Sequence, residues 1–181
     1  MKKYILVFAI TIILSSCLLR KNKQYESDYY KLNTAEFNQK YYSLYGKQNL
    51  DFSSVKKNEP YLTYTNNNTF QILVFSDDGY IYDSQLMPQK IFGKIPRNQL
   101  SRNGLYSIDG DIFKREQIAT SLGDVYSIIE EGNVRNDTIF MKKSYHSKGY
   151  KNTRNLFSQY VYCPEVKLFK LGDDFFVESG K

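Results

Sequence analysis

Apolar and polar positions follow three successive patterns along this chain. Tyr4 to Leu14 is an unbroken apolar run without a charged residue. Further on, Phe37, Tyr41, Leu44 and Tyr45 recur at i, i+4, i+7 and i+8, the spacing of one helix face. Asn33 and Glu36 stand as an N-x-x-E capping pattern before that stripe, and Gly46 stands where a C′ glycine ends a helix. These signals predict an amphipathic helix over about 34–45. A stripe of this width suits packing on a sheet better than lying on a membrane surface.

From about residue 50 the helical period gives way to short β-rich runs. Tyr61–Thr65 ends at Asn66-Asn67-Asn68. Thr69–Ser76 and Tyr80–Gln85 flank Asp77-Asp78-Gly79, and an Asp-Gly pair accepts the positive φ of a tight hairpin. Leu105–Ile108 and Ile112–Ile118 flank Asp109-Gly110-Asp111. Val125–Glu131 and Thr138–Tyr145 form a third hairpin, whose reversal falls within Gly132–Asp137 without one residue pair being singled out. Phe157–Cys163, Val166–Leu171 and Phe175–Val177 close the chain. Met87–Gly104 carries Pro88, Gly93 and Pro96 and reads as a connection with one helical turn, and 146–155 reads as a polar loop. The fold class that follows is mainly β: a small antiparallel barrel or sandwich of about eight short strands, with one N-terminal amphipathic helix.

The first apolar run has a different meaning. Lys2 and Lys3 precede it, and Ser15-Ser16-Cys17 follow it. A basic start, a short apolar stretch and small residues make a signal peptide, and the run is short for a membrane span. Leu14-Ser15-Ser16-Cys17 is similar, position by position, to the lipobox of bacterial lipoproteins. That resemblance implies cleavage between Ser16 and Cys17 and a palmitate-type acyl anchor on the Cys17 thiol. The expected organisation is a signal peptide over 1–16, a lipidated N-terminus and tether over 17–32, and one β-rich domain over 33–181, with strands from about residue 61. In some surface-displayed Bacteroidota lipoproteins an acidic cluster follows the lipidated cysteine. Here Arg20, Lys21 and Lys23 are basic, which points to a periplasm-facing anchor in the cell membrane or outer membrane. The run from Gly104 to Lys114, with Asn136-Asp137-Thr138-Ile139-Phe140, resembles small uncharacterised or lipocalin-like lipoproteins of Bacteroidota, a likeness of turn chemistry that brings no functional residue with it.

Composition narrows the function classes. Seventeen Tyr and 12 Phe with no Trp favour strands and a surface that offers large apolar bodies with polar tips. Trp, which sugar-binding and membrane-inserting surfaces often use, is absent. Loss of 1–16 removes two lysines and no acid, so the formal charge falls from +6 to +4. That excess is spread along the chain and does not predict a nucleic-acid partner.

The chain offers little chemistry. His146 is the sole histidine and reads as a surface residue, since no nucleophile motif accompanies it. Cys163, left without a partner if Cys17 is acylated, sits in Tyr160-Val161-Tyr162-Cys163-Pro164 and reads as a buried thiol with no histidine or acid placed to activate it. Asp109 and Asp111 lack the remaining ligands of a calcium loop. Asp137-Thr138-Ile139 matches a short Bacteroidota O-glycosylation pattern, which makes Thr138 a candidate modification site; a strand start after a turn explains the same residues. The sequence therefore names Cys17 as a lipidation site and no catalytic, metal or cofactor-binding residue. It predicts a lipid-anchored envelope protein, not an enzyme. Such a protein is a binding or interaction module for an envelope protein or an apolar ligand, or alternatively a structural part of an envelope assembly.

Overall fold

Turn chemistry sets the order of the strands. The computed structural model describes residues 21, 23–32, 34–65, 67–121, 124–147 and 152–179. Two helices come first, α1 (residues 23–31) and α2 (Thr34–Tyr41). The strands are β1 (Pro60–Tyr64), β2 (Thr69–Phe75), β3 (Tyr80–Asp83), β4 (Met87–Pro88), β5 (Asn98–Gln99), β6 (Ser101–Asp109), β7 (Ile112–Ser121), β8 (Asp124–Arg135), β9 (Thr138–His146), β10 (Arg154–Asn155), β11 (Gln159–Tyr162), β12 (Val166–Leu171) and β13 (Asp174–Ser179). A 3₁₀ segment, Gln89–Lys94, lies between β4 and β5.

The expected hairpins form. Gly79 at φ 84° closes β2–β3, and Gly110 at φ 61° closes β6–β7. The β8–β9 turn falls on Asn136 and Asp137, at φ 48° and 60°. Both central residues are therefore left-handed, which suits the twist of a two-residue hairpin.

Strands β1, β2, β3, β6, β7, β8, β9 and β11 pair antiparallel in that order, and β11 returns to β1. The sheet is thus a closed eight-stranded barrel, which leaves no unpaired edge around its circumference. The choice between barrel and sandwich is settled for the barrel. β4 and β10 extend β2 and β9, while β12, β13 and β5 form a separate small sheet.

Side-chain alternation divides the barrel into an inside and an outside. Tyr61, Leu73, Phe75, Ile81, Tyr106 and Phe113 belong to one buried cluster, the lumen. Phe75 lies at its centre, with ring centroids 5.1 Å from Tyr61, 5.4 Å from Tyr106 and 5.0 Å from Phe113. The segment before β1 closes this end of the barrel. Leu50 bridges to Ile108, and Leu50, Phe52 and Val55 pack against the cluster. The alternate residues Phe70, Ile72 and Val74 face outward into a second cluster, covered by Phe175 and Val177 of the small sheet. β2 is therefore buried on both faces, which is why Phe70–Phe75 is nearly continuous apolar sequence.

Several boundaries differ from those read in the sequence. β6 begins at Ser101 rather than Leu105, across the register shift between Tyr80 and Tyr82 of β3. Gly104 permits this at φ 138°, and a Cβ there would come within 2.3 Å of the Glu116 carbonyl. β8 runs on through Gly132–Arg135, past a register shift at Glu131/Gly132. The predicted helix ends at Tyr41 instead of near Tyr45, for a reason that lies in its contacts. Residues 23–31, expected within a tether, are helical. Cys17, Ser16 and Asn33 lie outside the described residues.

Candidate functional site

The helix pair stands against the outer wall of the barrel, and polar groups hold it there. Tyr25 and Tyr29 of α1 meet Phe37 of α2, at 5.6 and 5.7 Å between centroids, and Tyr25 meets Tyr41 at 5.1 Å. The predicted Phe37–Tyr41 stripe thus packs on a second helix rather than directly on a sheet. Asp28 locks the pair. Its carboxylate accepts from Lys40 Nζ at 2.5 Å, Tyr41 Oη at 2.7 Å and Gln24 Nε2 at 2.8 Å. The hydrogen bonds from Lys40 and Tyr41 bring its pKa down to about 2.

Polar contacts fasten the pair to the barrel. The amide of Asn38, the buried residue of α2, donates to Tyr80 Oη on β3 at 2.5 Å. Just past α2 the chain turns toward Glu116, which is 0% exposed on the outer face of β7. The Glu116 carboxylate accepts from the Ser43 amide at 2.9 Å, the Ser43 hydroxyl at 2.9 Å and the Leu44 amide at 2.7 Å. The Ser127 hydroxyl on β8 donates to the same carboxylate. In a longer helix the Ser43 and Leu44 amides would bond carbonyls one turn back. A buried carboxylate is the stronger acceptor, so the helix stops.

Between the helices and the β3–β6 wall runs a cleft of about 660 Å³. Five tyrosines line it, Tyr25, Tyr29, Tyr42, Tyr80 and Tyr82, together with Arg102, Asn38, Gln99 and Asn103. Asp173, in the turn of the small sheet, and Asp174, the first residue of β13, also line it. The Arg102 guanidinium lies 4.6 Å from the Tyr80 ring centroid, a cation–π distance. Burial pushes the Tyr82 phenol up to about 12 and raises those of Tyr42 and Tyr80 as well. These groups face the cleft as neutral hydroxyls at physiological pH, able both to donate and to accept.

No family model, curated protein or solved structure matches this chain.

The groups singled out in the sequence do not converge on the groove. Cys163 is buried in the outer cluster. An acid does stand beside it, contrary to expectation: Glu165 Oε2 accepts from the thiol at 3.1 Å. Burial and that contact push the thiol up to about 11, away from thiolate formation. Thr138 is the first residue of β9, and its hydroxyl reaches the Asn136 carbonyl at 3.4 Å. His146 ends β9, half-buried and stacked on Tyr126, so it is a strand residue rather than part of a surface loop. No three described His, Cys, Asp or Glu side chains form a metal-ligand set.

Sequence reasoning missed the groove because it needs two separate elements. One signal was present: Tyr25, Tyr29 and Leu32 fall at i, i+4 and i+7, a helical stripe within a lysine-rich stretch.

Proposed function

We propose that this chain is a lipoprotein of the bacterial envelope, held by acylated Cys17 and facing the periplasm, and that it binds a segment of another envelope protein in the tyrosine-lined groove. The groove carries this reading. It combines aromatic faces with amides, carboxylates and a guanidinium along an open channel, a lining that suits an extended polypeptide better than an apolar ligand. The packed lumen adds support. In the described barrel the space where a lipocalin-like protein holds its ligand is occupied by Tyr61, Phe75, Tyr106 and Phe113. The bacterial setting rests on the lipobox match, and the periplasmic side on the basic residues behind Cys17.

Site-specific photo-cross-linking in native membranes tests the groove. A photoreactive residue at Tyr29 should capture one stoichiometric protein partner, and the same group at the exposed Thr120 of β7 should not. Equal capture at both positions, or none at Tyr29, would rule the groove out. Cys17→Ala should release the protein from the membrane; undiminished retention without acyl labelling would refute the anchor.

The second reading, an assembly part that docks through its barrel wall, is favoured by a different observation. Phe157 is 95% exposed and Phe140, on β9, is 41% exposed. Capture at position 157 instead of 29 would select it.

A further inference from the structure

A second cleft opens on another part of the molecule, where β7, β8 and β9 run past the rest of the barrel. Its volume is about 320 Å³, and its lining includes Tyr126, Ile128, Ser144, His146, Asn152 and Arg154. Alternation places Tyr126, Ile128 and Glu130 on one face of β8. Register sets His146 opposite Ile128 and Ser144 opposite Glu130. This is the inward face, since Glu130 binds Arg115 within the barrel. The cleft is therefore the mouth of the lumen, beyond a buried ion pair.

Its walls are a flat aromatic surface and donors with no partner among the described residues. Tyr126 and His146 stack in parallel, 4.5 Å between centroids and 8° between planes. Ser144 is 9% exposed. Its hydroxyl lines the cleft and has no hydrogen-bond partner among the described residues. A buried hydroxyl left in that state costs free energy until something bonds it. Arg154 pairs with Ser144 in register, and its exposed guanidinium has no ion pair among the described residues. The acids nearby are already matched: Glu130 binds Arg115, and Asp124 accepts from Lys21 at 2.8 Å.

We propose that this mouth is a second binding site, separate from the groove, for a small ligand that joins an acidic group to a flat ring. The anion, a carboxylate or a phosphate, bonds the Arg154 guanidinium and the Ser144 hydroxyl, and the ring lies along the Tyr126–His146 stack. Arginine suits either anion because its paired N–H groups match two oxygens at once.

The test uses the full-length protein in detergent micelles, followed by amide NMR during titration with benzoate, phenyl phosphate and neutral benzamide. Benzoate, phenyl phosphate or both should saturably shift the Tyr126, Ser144 and His146 signals, and which of the two binds more tightly identifies the anion. Benzamide should bind at least about tenfold more weakly, the share of affinity that a charge-assisted contact supplies. Arg154→Gln should weaken the anions by a similar factor and leave signals elsewhere unchanged, and Ser144→Ala should weaken them to a smaller extent. No saturable shift with either anion, equal binding of benzamide, or undiminished binding to Arg154→Gln would each overturn the proposal.

Discussion

The barrel lumen and the N-terminal helix pair are held together by different physics. The lumen is rings against rings: Phe75 touches Tyr61, Tyr106 and Phe113 and is fully buried. The helix pair has its own aromatic contacts, but its attachment depends on carboxylates, Asp28 between the helices and Glu116 beneath them. Packing of the first kind is spread over many contacts and fails only with the whole domain. Attachment of the second kind rests on a few groups and can open locally. The helix pair forms one wall of the groove and the β3–β6 face the other, so the proposed binding surface joins the two kinds of attachment.

The largest effect should come from the lumen. Phe75→Ala removes the ring at the centre of the cluster and should destabilise the protein by about 3–5 kcal/mol, as large aromatic truncations in cores do. Chemical denaturation of the full chain measures it. The loss should appear in the global transition, with barrel and helix signals moving together. A loss below about 1 kcal/mol would mean that the lumen is not the main source of stability.

The Arg115–Glu130 pair divides the two mechanisms within the barrel itself, because it is an ionic contact placed inside a packed wall. Its side chains are only 11% and 19% exposed. Arg115→Met leaves Glu130 without its partner and should cost about 3 kcal/mol, whereas Arg115→Met with Glu130→Met should return most of that loss. If the double variant is as unstable as the single one, the pair contributes more than the cost of an orphaned charge, and the contrast between the two regions narrows.

Most of the barrel was legible in the sequence, because alternation and turn chemistry are local. Asp77-Asp78-Gly79 and Asp109-Gly110-Asp111 named two hairpins. The helix attachment was not legible. Lys114-Arg115-Glu116-Gln117 is four polar residues in succession, so it shows no apolar face at all. Yet Arg115 enters the lumen and Glu116 is sealed under the helix pair, where only the partners brought in by the fold make burial tolerable. The start of β6 was hidden for a similar reason, since Ser101-Arg102-Asn103-Gly104 carries polar groove residues where an ordinary strand shows alternation.

Glu116→Gln tests the attachment from below. The amide keeps one acceptor but turns its N–H₂ toward either the Leu44 amide or the Ser43 amide, each itself a donor. The expected loss is about 2 kcal/mol, the scale of hydrogen bonds to a charged group. Hydrogen exchange should locate it: amides near Ser43 and Leu44 should lose protection first, while β2 amides at the centre of the barrel lose little. A uniform loss across the chain would show that the helix pair and barrel unfold as one unit.

The smallest effect is a pH step confined to the helix pair. Asp28 has its pKa lowered to about 2 by its bonds to Lys40 and Tyr41. In the unfolded chain an aspartate titrates near ~3.9. A lowered folded value means that the ionised form is bound more tightly in the native state. Its contribution is therefore complete above the unfolded value and is lost as pH falls from about 4 toward about 2. Ring signals of Tyr25 and Tyr41 should report separation of the helices in that window, before the Phe75 cluster responds. Asp28→Asn should remove this acid step, because an amide cannot titrate, and should leave the helix contacts looser at neutral pH. Identical acid profiles for the two proteins would show that the aromatic contacts alone hold the helices, and the division between a packed barrel and a carboxylate-locked wall would fail at its most exposed point.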